Sequence, residues 1–203
     1  MIDEGYIKFE SKWQRTEPLD FPDIDDLIEW RRPLYAAGLI GHYEDLGIGY
    51  GNISLRMPGA AGFLISGTQT GHLADLDYQH FALVTGFDIE QDTVSCIGAA
   101  EASSESMTHA AIYELSHEIR AVVHVHSDEL WVGFKGVLPT TNEDVAYGTP
   151  QMASEFYRLF SETDFAKKGI AVMAGHEGGL VSVGSNMREA TERILSLSDD
   201  FLS

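Results

Sequence analysis

The sequence predicts an α/β fold in which a mixed or antiparallel sheet is covered by helices. Short apolar runs rich in Val, Ile and Phe recur in pairs joined by glycine-containing turns. Between them lie stretches whose apolar residues repeat at helical spacing. A length of 203 residues is enough for a substantial core, and one domain over residues 1–203 is expected.

Residues 1–19 are polar and irregular, and are expected to form an N-terminal arm. In DIDDLIEWRRPLYAAGL, apolar Ile24, Leu27, Ile28, Leu34 and Tyr35 predict a helix with Gly38 as its stop. Pro33 lacks an amide donor, so a kink or break is expected before it. The glycine-rich GHYEDLGIGYGNISLRMPG leads into a strand around Ile53 to Met57. GFLIS reads as its hairpin partner across a turn near Pro58 and Gly59. HFALVTGFD and TVSCIG are two further strands.

The period then changes. In ASSESMTHAAIYEL, Met107, Ala110, Ala111 and Leu115 recur at helical spacing, with Ser103 or Ser104 as the expected N-cap. IRAVVHVHS returns to strand. GTPQMASEFYRLF opens a helix in which Thr149 caps and Pro150 fits the first turn. GIAVMAGHEGGLVSVG reads as two strands joined by a turn at Glu177, Gly178 and Gly179. The last helix, SNMREATERILSLSDDFL, has Ser185 or Asn186 as its cap.

Composition narrows the function. The 32 Asp and Glu against 13 Lys and Arg argue against a general binder of nucleic acid or anionic membranes, which needs clustered cations. A small anion held by local dipoles remains compatible with this balance. No run approaches a membrane span, and IDEGYIKFESKW lacks the pattern of a secretory signal. The single cysteine, Cys96, excludes an intrachain disulfide framework; it suits a cytoplasmic location and is expected in the core.

Side chains alternate across a strand, so His124 and His126 project from one face, about 6–7 Å apart along the chain. Two imidazoles so placed can converge on one cation of zinc type, or form a hydrogen-bonded pair at a sheet end; a third ligand decides. His176 ends an apolar strand just before a glycine turn, where a side chain can reach into a cleft. A three-histidine site leaves positions open for water or substrate, which marks catalytic rather than structural zinc. Glu105 opens the helix before the histidine strand, as an acid partner for the metal or as a capping group. Gly51 with Asn52, Ser66 with Gly67 and Thr68, and Ser103 with Ser104 could together build an anion pocket from amides, hydroxyls and a helix N-terminus.

The succession GNISLR, FLISGTQTGHL, ASSESMTHAAIY, AVVHVHS and AGHEGGLVSVG resembles the class II aldolase/adducin superfamily, from about residue 24 to 200. That group includes zinc-dependent fuculose-phosphate and rhamnulose-phosphate aldolases, ribulose-phosphate 4-epimerase and methylthioribulose-phosphate dehydratase. The resemblance implies a three-layer α/β/α fold around a central, mostly antiparallel sheet, and a homotetramer with sites between subunits. It implies that His124, His126 and His176 ligate Zn2+ or another divalent ion. Glu105 falls where the aldolases keep their general acid/base and the epimerases carry Asp. Asn52, Ser66, Gly67, Ser103 and Ser104 would line the substrate phosphate pocket.

The implied activity is that of a metal-dependent lyase cleaving or forming a carbon–carbon bond in a small hydroxy-ketone phosphate. Dehydratase or 4-epimerase chemistry on the same scaffold is the near alternative, and a non-catalytic adducin-like module the distant one. The joint presence of the three histidines and Glu105 favours an enzyme. Two departures stand out. The segment DELWVGFKGVLPTTNEDVAYG is shorter than in the aldolases, where it carries a tyrosine that reaches a neighbouring subunit, and Tyr147 is its one tyrosine. GHEGG also stands where the family more often has HHG.

Overall fold

The computed structural model describes residues 5–57 and 62–202. Its frame is an eight-stranded sheet. In chain order the strands are β1 (Glu10–Arg15), β4 (Asn52–Arg56), β5 (Phe63–Ser66), β6 (Phe81–Asp88), β7 (Thr93–Gly98), β8 (Ala121–His126), β9 (Ile170–Val172) and β10 (Gly179–Gly184). A separate hairpin pairs β2 (Gly41–Tyr43) with β3 (Ile48–Tyr50). The spatial order is β1-β7-β6-β5-β4-β8-β10-β9, antiparallel throughout except where β1 lies parallel to β7.

Strand alternation sorts the core into two layers. From β8, Val122 faces one helical layer while Ala121, Val123 and Val125 face the other. On the first face lie α2 (Ser106–Leu115) and α4 (Pro150–Glu162), whose Met107, Ala111, Met152 and Phe156 pack over Ile65, Val122 and Val181. On the second lie α1 (Asp23–Ala36) and α6 (Met187–Leu202), whose Ile24, Leu27, Leu34 and Ile194 cover Ile53, Val123 and Leu180. The expected three-layer arrangement around a mostly antiparallel sheet is the one observed, with Cys96 buried in the first layer.

The structure corrects the sequence reading in several places. The arm expected over residues 1–19 contains β1, which pairs with the strand that would otherwise leave its amides and carbonyls open at the sheet edge. Trp13 fixes it by donating from Nε1 to the Gly98 carbonyl at 3.0 Å. The weak alternation of Phe9, Ser11 and Trp13 with charged neighbours was its signal. The helix does not break at Pro33: α1 runs on to Ala36, and Ala37 N closes onto the Pro33 carbonyl at 3.0 Å. Gly38 ends it at φ +72°.

At α2 the N-cap is Glu105 rather than Ser103 or Ser104; Ser103 instead accepts from the Glu105 amide at 3.3 Å, outside the helix. Thr149 caps α4 with Pro150 behind it, and Asn186 accepts from the Glu189 amide at the start of α6, as expected. The hairpin turn at Pro58 and Gly59 lies outside the described residues. Two short helices were not anticipated: α3 (Asp128–Phe134), capped by Ser127, and α5 (Phe165–Lys168).

Candidate metal centre and anion pocket

All six residues of β8 are buried, so its two histidines sit inside the protein on the α2 side of the sheet. The register sets Asn52 of β4 opposite His124, and Gly179 of β10 opposite His126. A turn between β9 and β10 then carries His176 back over the strand ends; Gly179 N bonds the His176 carbonyl at 2.9 Å. Gly178 makes that turn possible. Its φ is +77°, and a Cβ there would lie 3.0 Å from Asp128 Oδ1 and 3.3 Å from His126 Nδ1.

The ligand atoms of His124, His126 and His176 lie within 4.8 Å of one another. Nε2 of His124 and Nε2 of His126 are 3.1 Å apart. His124 uses Nδ1 against the Leu180 carbonyl at 3.1 Å, and a carbonyl only accepts, so the proton belongs on Nδ1. That tautomer leaves the Nε2 lone pair facing the centre. His126 Nδ1 meets Tyr43 Oη at 3.2 Å. Glu105 Oε1 stands 3.3 Å from His176 Nδ1 and 4.0 Å from His124 Nε2. None of these four side chains is more than 5% exposed.

Aromatic rings complete the wall. Tyr147, itself buried, stacks on His176 with centroids 4.5 Å apart and planes 24° apart. Tyr50 lies against both Tyr43 and His126. Sequence reasoning noted Tyr147 without placing it, and missed Tyr43 and Tyr50, whose glycine-rich surroundings show no periodic signal.

Beneath the centre, one turn along α2 from Glu105, His109 is fully buried, with Nδ1 bonded to Ser54 Oγ at 2.7 Å. Ser54 Oγ is also 2.7 Å from Tyr113 Oη. Burial, with a smaller contribution from nearby His124, pushes the His109 pKa well below its usual value and keeps the ring neutral.

Of the expected anion-pocket residues, Asn52, Gly67, Ser103 and Ser104 line one small cavity of about 20 Å³, together with Gln69 and Gly71. Ser66 does not line it: its hydroxyl accepts from the Ile53 amide at 3.2 Å, joining β5 to β4. Asn52 Oδ1, in a side chain that is buried, has no hydrogen-bond partner among the described residues. A larger cavity of about 570 Å³ lies at the far end of α2, lined by Arg56, Phe63, Phe87 and Tyr113 among others. Its guanidinium is already engaged with the Tyr113, Ser116 and Ile119 carbonyls.

No helix among the described residues is long and apolar enough to cross a membrane. The curated proteins contain no match to the sequence. Solved structures do match in fold. A sugar-phosphate aldolase from Thermotoga maritima superposes with a TM-score of 0.68 at 18% identity, over 89% of this chain and 92% of that one. L-fuculose-1-phosphate aldolase from Thermus thermophilus gives 0.64 at 20% identity, over 89% and 91%. YgbL from Klebsiella pneumoniae, described as a putative aldolase/epimerase/decarboxylase, gives 0.66 at 19% identity, over 90% and 89%. The profile of the Class II Aldolase and Adducin N-terminal domain matches residues 31–199, most of the sequence. The chain belongs to the class II aldolase/adducin family.

Proposed function

We propose that this protein is a metal-dependent lyase of the class II aldolase type. It makes or breaks a carbon–carbon bond in a small hydroxy-ketone phosphate and works as a homotetramer. The observation that carries the reading is the convergence of three buried imidazoles beside one buried carboxylate.

The residues fit a metal ion. Two nitrogens each about 2.0–2.1 Å from a tetrahedral zinc lie about 3.3 Å apart. The two Nε2 atoms of β8 are separated by 3.1 Å. An all-imidazole set suits zinc and other first-row divalent ions over magnesium or calcium. Burying the Glu105 carboxylate costs several kcal/mol unless positive charge faces it, which a divalent ion among these histidines would provide. Held there, the ion would act as a Lewis acid towards the carbonyl and adjacent hydroxyl oxygens of the substrate.

The protein's own groups do the rest. The Leu180 carbonyl holds His124 in the tautomer that presents Nε2, and Tyr43 can do the same for His126 by accepting from Nδ1. Glu105 stands at the edge of the centre, where it takes a proton from the substrate and returns it. Asn52, Gly67, Ser103, Ser104 and the N-terminus of α2 hold the phosphate, and Ser66 braces the strand that carries Asn52.

Metal analysis of protein purified without chelators tests the first half: one divalent ion per chain, lost in His124→Ala, is expected. Dihydroxyacetone phosphate with short aldehydes tests the second. Absence of a stoichiometric ion overturns the metalloenzyme reading. A bound ion without turnover of any ketose phosphate would transfer the site to dehydratase or epimerase chemistry.

A further inference from the structure

The segment Gly5–Phe9 runs past the anion pocket and the metal centre into the sheet. Gly5 forms one wall of the pocket, and its carbonyl accepts from Gln69 Nε2 at 2.8 Å. Gln69 is aimed there by the Gly49 amide, which donates to its Oε1 at 3.1 Å. The Tyr6 amide donates to Tyr147 Oη at 3.1 Å, and that hydroxyl lies 3.4 Å from the Tyr6 carbonyl. Lys8 Nζ sits 3.7 Å from the Tyr147 ring centroid. Phe9, in the core, anchors the far end, whereas the Tyr6 side chain is 62% exposed. The segment ahead of Phe9 is thus held by Ile7, partly buried against the core, and by these polar contacts, three of which converge on the ring that stacks on His176.

In this arrangement the site is shut. The pocket encloses about 20 Å³. That is room for about one water molecule and too little for a phosphate group. His124, His126, His176 and Glu105 are all at most 5% exposed. Asn52, at the pocket wall, has its Oδ1 without a hydrogen-bond partner among the described residues, and that atom can take a donor such as water or a substrate hydroxyl.

We propose that Gly5–Lys8 is a displaceable strap, and that an anion of phosphate size binds only after the Gly5–Gln69 and Tyr6–Tyr147 contacts open. The inference rests on the reading of the pocket as the phosphate subsite. The Gly5 carbonyl competes with the incoming anion for the Gln69 amide, so the closed form weakens apparent affinity in proportion to its population. Tyr147 couples the strap to the metal centre, because the hydroxyl that holds Tyr6 belongs to the ring that covers His176.

Two variants separate the strap from the fold. Tyr6→Pro removes one amide donor from an exposed position; Tyr147→Phe removes the hydroxyl and keeps the stacked ring. The first readout is carbethoxylation of His124, His126 and His176 by diethyl pyrocarbonate in the full-length metal-free protein, with exposed His117 as the internal reference. Loss of one such hydrogen bond is expected to speed modification about fivefold. The double variant should react about as fast as Tyr147→Phe alone, since loss of the hydroxyl already removes the contact that Tyr6→Pro breaks. The second readout is calorimetric binding of inorganic phosphate, expected to tighten about fivefold in each variant. Unchanged histidine rates relative to His117, or phosphate binding that weakens, would overturn the strap. Faster modification with no phosphate bound by any of the proteins supports the strap and removes the phosphate reading of the pocket.

Discussion

Replacing Tyr43 by Phe tests whether the proposed metal centre depends on more than its three histidines. The only polar group lost is the hydroxyl 3.2 Å from His126 Nδ1. The ring remains against Tyr50, whose centroid is 4.8 Å away, so packing changes little. Two effects follow, both in the same direction. The hydrogen bond that keeps the His126 proton on Nδ1 disappears, and a typical bond of this kind is worth about 1 kcal/mol. The proton is then freer to sit on Nε2, where it can bridge to His124 Nε2 at 3.1 Å and must be expelled before a metal enters. Together these should weaken zinc binding about tenfold, or about 1.4 kcal/mol, the lower end of what outer partners of metal-bound histidines contribute. His124 offers no equivalent test, because its partner is the main-chain carbonyl of Leu180. The assay is competition for zinc with a chromophoric chelator at pH 7.5, with circular dichroism to verify the fold. Zinc affinity within twofold of the wild type would refute the role assigned to the Tyr43 hydroxyl.

Three further outcomes are expected. Glu105→Gln keeps the shape of the side chain but removes its proton-accepting charge; turnover should fall by about 10²–10⁴ while bound metal stays at one ion per chain, and loss of the ion as well would make Glu105 a ligand instead. Gly71→Ala would set a Cβ 2.1 Å from the Gly41 carbonyl oxygen and 2.9 Å from Gly49 Cα, main chain on both sides. It should cost about 3 kcal/mol and lower Tm by about 6–12 °C, and a change under about 2 °C contradicts the packing described. His109 is neutral in the folded protein and binds its proton more readily when unfolded, so it contributes stability that is complete above its ordinary value near 6.5 and lost as pH falls below it. Urea unfolding between pH 5 and 7 should therefore show a slope up to about 1.4 kcal/mol per pH unit steeper in the wild type than in His109→Gln; equal slopes would mean that His109 titrates alike in both states.

The central part of the site was readable because it is written locally. Strand alternation puts His124 and His126 on one face without knowledge of the rest of the chain, and the glycines after His176 mark the turn that brings it back. What could not be read depends on contacts across the fold. Tyr43 reaches His126 from a hairpin 83 positions earlier, and Tyr147 meets Tyr6 across 141. Strand β1 is specified by a partner, β7, whose open edge exists only once the sheet is assembled. The misplaced cap of α2 has a local cause. Ser103 and Ser104 are good capping types, but here the chain turns one residue later, leaving Ser103 Oγ for the Glu105 amide and both serines against the pocket.

The proposal that a chain of formal charge −19 holds an anion looks contradictory until the charges are placed. The carboxylates of the first turn of α1, Asp23, Asp25 and Asp26, are typical: they lie on an outer helix, in contact with solvent. Beyond about 10 Å such exposed charges are largely screened at ordinary salt. The pocket wall itself is glycine, serine, threonine, asparagine and glutamine, with no carboxylate. Behind it stands Arg31, only 2% exposed, donating to the carbonyls of Thr70, Gly71 and Ala74 at 3.2–3.4 Å. Burial lowers its pKa to about 10, which still leaves it charged near neutrality. A trans peptide points its amide away from its carbonyl, so turning the Thr70 carbonyl towards Arg31 turns the Gly71 amide the other way. A buried cation and oriented amides thus stand behind the pocket wall, with the buried Glu105 carboxylate following Ser103 and Ser104. Net charge bears on which macromolecules approach this protein, while the wall that a small ligand would meet at the pocket carries no carboxylate.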